Sequence, residues 1–181
     1  MKGKILLIFA LLITLYSYSQ DFKIEKIKTL NNGDYKITRL LVVSDSVGNT
    51  EINKFIIEFI SELKTEFEKN NLQAAFIRKG ASNPTQRDSI MKSLNPNGIM
   101  KFVSSDYFIR YRGLSEKHGL YFNLGLSFRL SGESKYTSLF TAKIGVMTDS
   151  FGNAGIPAAR ELFNRMVKAG FLPTEVVQIG K

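Results

Sequence analysis

Two groups of residues in this 181-residue chain have the types and spacing that binding chemistry uses. The first is Ser44-Asp45-Ser46-Val47-Gly48-Asn49-Thr50-Glu51. It falls between a predicted strand and a predicted helix, where α/β sheets commonly hold ligands. Backbone amides there, with a helix N-terminus behind them, can cradle an anion such as phosphate. Asp45, Ser46, Asn49 and Thr50 would supply the polar side chains. The same residue types also do purely local work. Asn49 or Thr50 can cap the helix, Gly48 permits the turn, and Asp45 or Ser46 can close a side-chain turn. The second group is Tyr107-Phe108-Ile109-Arg110-Tyr111-Arg112. On a strand Arg110 and Arg112 share a face, with Arg129 a candidate third member. Paired guanidinium forks grip carboxylate or phosphate. Alternating arginines on an exposed strand equally protect an edge from pairing, and that reading is favoured two to one.

Other chemistries lack their residues. Without cysteine there is no disulfide, thiolate metal site, Cys nucleophile or lipidated Cys anchor. One histidine, His118, excludes a multi-histidine zinc site. It stands in Ser115-Glu116-Lys117-His118-Gly119, which reads as a solvated turn. Glu58, Glu62 and Glu66 recur every four residues on one predicted helix face. Glycoside hydrolysis needs carboxylates across a cleft, so this row reads as a polar outer face. Asp106 and Asp149 follow candidate strands and, with Asp45, are conceivable calcium ligands, yet no loop has the ligand spacing calcium uses. No catalytic set, metal or cofactor is expected.

The elements that must position these groups follow from periodicity. Leu40-Leu41-Val42-Val43 is a continuous apolar run, the mark of a strand covered on both faces. Ile52, Phe55, Ile56, Phe59, Ile60, Leu63 and Phe67 form one stripe of a helix over about 51–69, stopped at Asn70-Asn71. A strand over 72–77, a helix over 85–94 and a strand over 99–104 come next, with 107–112 extending that strand or starting another. Leu120, Phe122, Leu124, Leu126, Phe128 and Leu130 alternate with polar residues, as a half-buried strand requires. A hairpin through Gly132 returns over 136–148. Gly152 to Gly155 read as a break, Pro157 as the first turn of a last helix over 158–169, and Gly170 as its cap. The segment 174–181 is an edge strand or a tail. The expected fold is mixed α+β in a single domain: a mixed sheet of about five strands, three from βαβαβ crossovers and two from the hairpin, packed with three helices.

Residues 1–19 read as a signal peptide. Lys2 and Lys4 precede the uncharged apolar run Ile5–Tyr16, and Ser17 and Ser19 suit cleavage before Gln20. Such a run rises only ~18 Å as a helix, short of a bilayer core of ~30 Å. The domain is then 20–181, exported to a bacterial periplasm or envelope with no membrane span left. There are 25 Lys and Arg against 16 Asp and Glu, so the chain is basic. That suits an anionic envelope component or an acidic protein partner. Because the lysines are spread along the chain, plain solubility is the favoured explanation of the charge. Export argues against nucleic acid as the partner.

Gly48-Asn49-Thr50-Glu51 looks like the end of the flavin-phosphate loop of flavodoxins. Asp45 and Val47 stand where that loop carries Ser or Thr, so no flavin is implied. In element order the chain resembles small envelope domains of Gram-negative bacteria: the amino-terminal domain of the Tol–Pal translocation protein, the curli-secretion lipoprotein type and uncharacterised periplasmic families. The matching parts are Leu40–Val43 with the Ile52–Phe67 helix, then the Leu120–Leu130 and Tyr136–Thr148 hairpin before the Ala159–Met166 helix. The resemblance implies a non-enzymatic binding or assembly role and supplies no catalytic residue. The other class of function is a small-ligand-binding protein or hydrolase using Asp45–Thr50.

Overall fold

The apolar run at 40–43 becomes the central parallel strand of one six-stranded sheet. The structure, a computed structural model, describes residues 22–29, 35–45, 49–79, 83–112 and 114–172. The leader, Ser46 and the segment 174–181 lie outside the described residues, and Arg112 is described in its backbone. The elements are β1 (Phe22–Thr29), β2 (Arg39–Ser44), α1 (Thr50–Lys69), β3 (Gln73–Arg78), α2 (Pro84–Leu94), β4 (Gly98–Arg112), β5 (Ser115–Phe128), β6 (Thr137–Met147), a 3₁₀ turn (Thr148–Ser150) and α3 (Phe151–Lys168).

The sheet order is β1-β6-β5-β4-β2-β3. β2 runs parallel to β3 and β4, and the remaining pairs are antiparallel. The chain leaves β2 through α1 to β3 on one side, then crosses back through α2 to β4 on the other. Right-handed crossovers in opposite directions put their helices on opposite faces. Leu40 and Val42 accordingly join the core under α1 and α3, while Leu41 and Val43 face α2. The expected mixed α+β class with three crossover strands, a hairpin and three helices is the observed one.

Asn49 caps α1 by accepting from the backbone N–H groups of Glu51 and Ile52 at 2.9 and 3.0 Å. Asn71 takes φ +53° just past its end. The stripe of α1 is buried on the sheet. Phe55 stacks on Phe122 at 4.6 Å, Phe59 on Phe102 at 4.5 Å, and Phe102 on Phe122 at 5.2 Å, so one aromatic column joins α1 to β4 and β5. Such ring pairs add about 0.5–1.5 kcal/mol each beyond their burial.

Four details depart from the sequence-based expectation. The basic segment at 22–29 is a sixth strand, β1, paired with β6, and Ile24 enters the core. A register shift between Glu25 and Lys28 breaks its alternation, which hid it. His118 lies on β5 opposite Ile109 rather than in a turn. The last helix begins at Phe151, so Pro157 sits inside it. Phe151, buried against Phe55 and Phe122, outweighs the hydrogen bond that Pro157 cannot make to Asn153. Finally, the glutamate row on α1 faces α3 in part. Glu62 pairs with Arg160 at 2.5 Å, and a Cβ at Gly155 would lie 2.6 Å from the Glu58 Cβ.

Candidate functional site

β4 and β5 are longer than the strands beside them. β2 pairs with β4 only as far as Ser44 opposite Phe102, and β6 pairs with β5 only from Gly119 onward. Residues 107–112 and 115–118 therefore form a two-stranded ribbon beyond the sheet, at the carboxyl end of the parallel strands. A bulge between Ser104 and Tyr107 inserts one residue into β4. It places Tyr107 opposite the core residue Leu120, so Tyr107, Ile109 and Tyr111 take the core-side face. Beyond the core they are exposed, Tyr107 at 63%, Ile109 at 49% and Tyr111 at 74%, with Leu114 fully exposed at the tip.

The outer face of the ribbon is tied to the sheet. The Phe108 ring lies over Gly119 and packs on Tyr121 at 4.4 Å. Arg110 covers the Phe108 ring at 5.3 Å and reaches the Glu25 carboxylate at 3.4 Å. The Tyr121 hydroxyl donates to the other Glu25 oxygen at 3.3 Å. Lys143 lies 4.1 Å over the Tyr121 ring and 3.1 Å from Asp106. Burial pushes the Tyr121 hydroxyl above its usual range, and the Glu25 carboxylate beside it adds to this. Arg110 thus has an in-chain carboxylate and ring as partners while staying about half exposed.

The first candidate group is divided. Asn49 spends its side-chain oxygen on the helix cap. Thr50 is the first residue of α1 and exposed. Asp45 stands 3.9 Å from Lys79, which follows β3. Both border an open crevice of about 680 Å³ between α2 and the second face of the sheet. Leu41, Val43, Ile77 and Ile99 floor it, Met91 closes it from the helix, and Arg87, Asp88 and Lys101 add charge to its border. No residue of α2 is fully buried. Ile90, Met91 and Leu94, expected inward, are half-buried.

The structure separates other residues that spacing allowed together. Arg129 lies at the far end of β5, donating to the Asn95 side-chain oxygen at 2.6 Å and the Pro96 carbonyl at 3.3 Å. Asp106 pairs with Lys143, and Asp149 with Lys117 at 2.7 Å. That hydrogen bond from Lys117 holds the Asp149 carboxyl below the usual carboxylate range. Among the described residues no three His, Asp or Glu side chains could hold a metal ion, and no helix is long and apolar enough to cross a membrane. The two-residue alternation of Tyr107, Ile109 and Tyr111 interleaves with Phe108, Arg110 and Arg112, so the sequence reads as one basic-aromatic cluster and the apolar face emerges only in the ribbon.

No family model matches the chain, and no curated protein matches its sequence. Solved structures of similar outline include the PelC dodecamer from Paraburkholderia phytofirmans, at 9% identity and TM-score 0.36 over 75% of this chain and 94% of that one. A lipoprotein of Neisseria meningitidis is similar at 9% identity and TM-score 0.37, over 74% of this chain and 96% of that one. A minor lipoprotein from Acinetobacter baumannii is similar at 14% identity and TM-score 0.30, over 76% and 98% respectively. At these values no residue role passes from those proteins to this chain.

Proposed function

We propose that this chain is an exported, non-enzymatic binding or assembly module of a bacterial envelope, working through the β4–β5 ribbon. One observation carries the reading: Tyr107, Ile109, Tyr111 and Leu114 are exposed together on a strand pair that has outrun its neighbours. Exposed large apolar side chains grouped in this way mark interaction surfaces. The leader at 1–19, with cleavage before Gln20, supports export, and the element order supports the envelope class to which the Tol–Pal and curli-secretion domains belong.

The test is made in the native envelope. A photo-reactive residue at Tyr111 should give a discrete crosslinked product that the same residue at Lys92, exposed on α2, does not. The captured chain should begin at Gln20 by mass spectrometry. Equal products from both positions, or an uncleaved chain in the cytosol, would reject the proposal.

A second reading has its own observation. The crevice beside Asp45 has an apolar floor, a charged border and the volume of a small-molecule site. Under that reading the chain binds a small amphipathic ligand there, and Met91→Trp should block it. Calorimetry that finds the same ligand heat in the variant would discard the crevice.

A further inference from the structure

We infer that the free edge of β4 pairs with the same edge of a second copy of this chain, antiparallel about a two-fold axis at Ile109. This rests on the ribbon being the binding surface.

The backbone shows which groups are available. The Phe102 carbonyl accepts from the Asp45 N–H at 3.2 Å, so the main-chain groups of Phe102, and by alternation of Ser104, turn toward β2. Ser104 and Tyr107 stand opposite Phe122 and Leu120, two positions apart on β5. Across the bulge Tyr107 therefore inherits the orientation of Ser104. The N–H and C=O groups of Tyr107, Ile109 and Tyr111 turn to the open edge, where no strand lies among the described residues. An exposed edge with large apolar side chains invites strand addition. Tyr107, Ile109 and Tyr111 bring neither proline nor lysine, and Arg110, which the sequence offers as edge protection, is held by the Phe108 ring at 5.3 Å and the Glu25 carboxylate at 3.4 Å of its own chain.

The residue order favours a second copy as the added strand. With Ile109 opposite Ile109, Tyr107 meets Tyr111 twice. Phe108 meets Arg110 twice, the cation–ring contact that these residues already make within one chain at 5.3 Å. All three outward residues of each edge then bond, giving about six main-chain hydrogen bonds. An axis at Arg110 would set two guanidinium groups opposite each other, which is unfavourable. An axis at Phe108 would leave Tyr111 outside the straight run, opposite the bulge of the other copy. A two-fold pair of this kind is closed and does not propagate into a fibre.

The chain has no cysteine, so a single one can be placed cleanly for a spin label. Ser115→Cys, exposed on β5 near the tip, carries the label. Light scattering of the exported chain should give the dimer mass, with a label separation of about 25 Å from strand rise and spacing. Ile109→Lys, which sets two ammonium groups on the axis, should give the monomer mass and no such separation, with the circular dichroism of the fold retained. The labelled chain, whose edge is native, decides the matter even if Ile109→Lys does not fold. A monomer at 100 µM, a dimer without the ~25 Å separation, or a dimer unaffected by a folded Ile109→Lys would overturn the inference. A monomer that still crosslinks from Tyr111 in the envelope leaves the binding reading standing with another occupant. A monomer that does not crosslink removes both.

Discussion

Phe108 lies flat across Gly119, its cross-strand partner, so closely that a Cβ at 119 would stand 2.1 Å from the ring Cζ. The glycine makes room for the ring, and the ring fills the gap that a missing side chain leaves in a sheet. This contact, with Tyr121 behind it, fastens the projecting ribbon to the body of the sheet. Gly119→Ala must displace the ring. The expected cost is about 1–3 kcal/mol of stability, by analogy with overpacked sites. Hydrogen exchange should quicken at 107–118 while β2 and α1 keep their protection, and unchanged exchange in the ribbon would contradict the fastening role.

Gly155 plays a different part. A Cβ there would meet the Glu58 Cβ at 2.6 Å and the backbone of Phe55 and Phe59 at 3.0 Å. Backbone cannot step aside as a ring can, so α1 and α3 would have to separate. Gly155→Val should lower the melting temperature more than Gly119→Ala does, and a melt equal to wild type would refute the close approach.

Asn49 is the test of whether the strand-to-helix loop is only a cap. Its side chain already accepts from two backbone N–H groups. Asn49→Ala should cost about 1 kcal/mol by denaturant titration. Asn49→Asp, which keeps the acceptor at a helix N-terminus, should recover most of that loss. A loss that Asp does not recover would mean that the amide group has a further role.

The tyrosine hydroxyl at 121 gives a pH signature. Burial, and then the neighbouring Glu25 carboxylate, raise its folded pKa above the unfolded value of about 10. The folded state therefore holds this proton more tightly. The stabilisation is complete below about pH 10 and is lost as pH climbs from there through the raised value. Glu25→Gln should lower the Tyr121 pKa toward its ordinary value in an ultraviolet titration. A pKa that does not move would show that Glu25 contributes nothing to the shift.

Leu126 probes the core itself. It has no exposed surface and faces the helices from β5. Leu126→Asp buries a carboxylate without a partner and should abolish cooperative folding, read as loss of the thermal transition. A cooperative melt near that of wild type would reverse the assigned facing.

Much of this architecture was legible in local pattern. The stripe on α1, the alternation of β5 and β6 and the apolar run of β2 each declare their own period, and two crossovers then require parallel neighbours. Asn49, Asn71 and Gly170 marked helix ends through backbone preferences that act within a few residues. Tertiary contacts alone decided the rest. β1 became a strand because β6 offered it an edge, and α3 ran through Pro157 because Phe151 found Phe55 and Phe122. The ribbon exists because β4 and β5 outrun β2 and β6, a difference in length between strands far apart in the chain. Arg110 could be known as a cation from its type, but its partner, Glu25, lies 85 residues away. Periodicity acts over a few residues, whereas strand length, edge exposure and charge pairing depend on what the rest of the chain brings alongside.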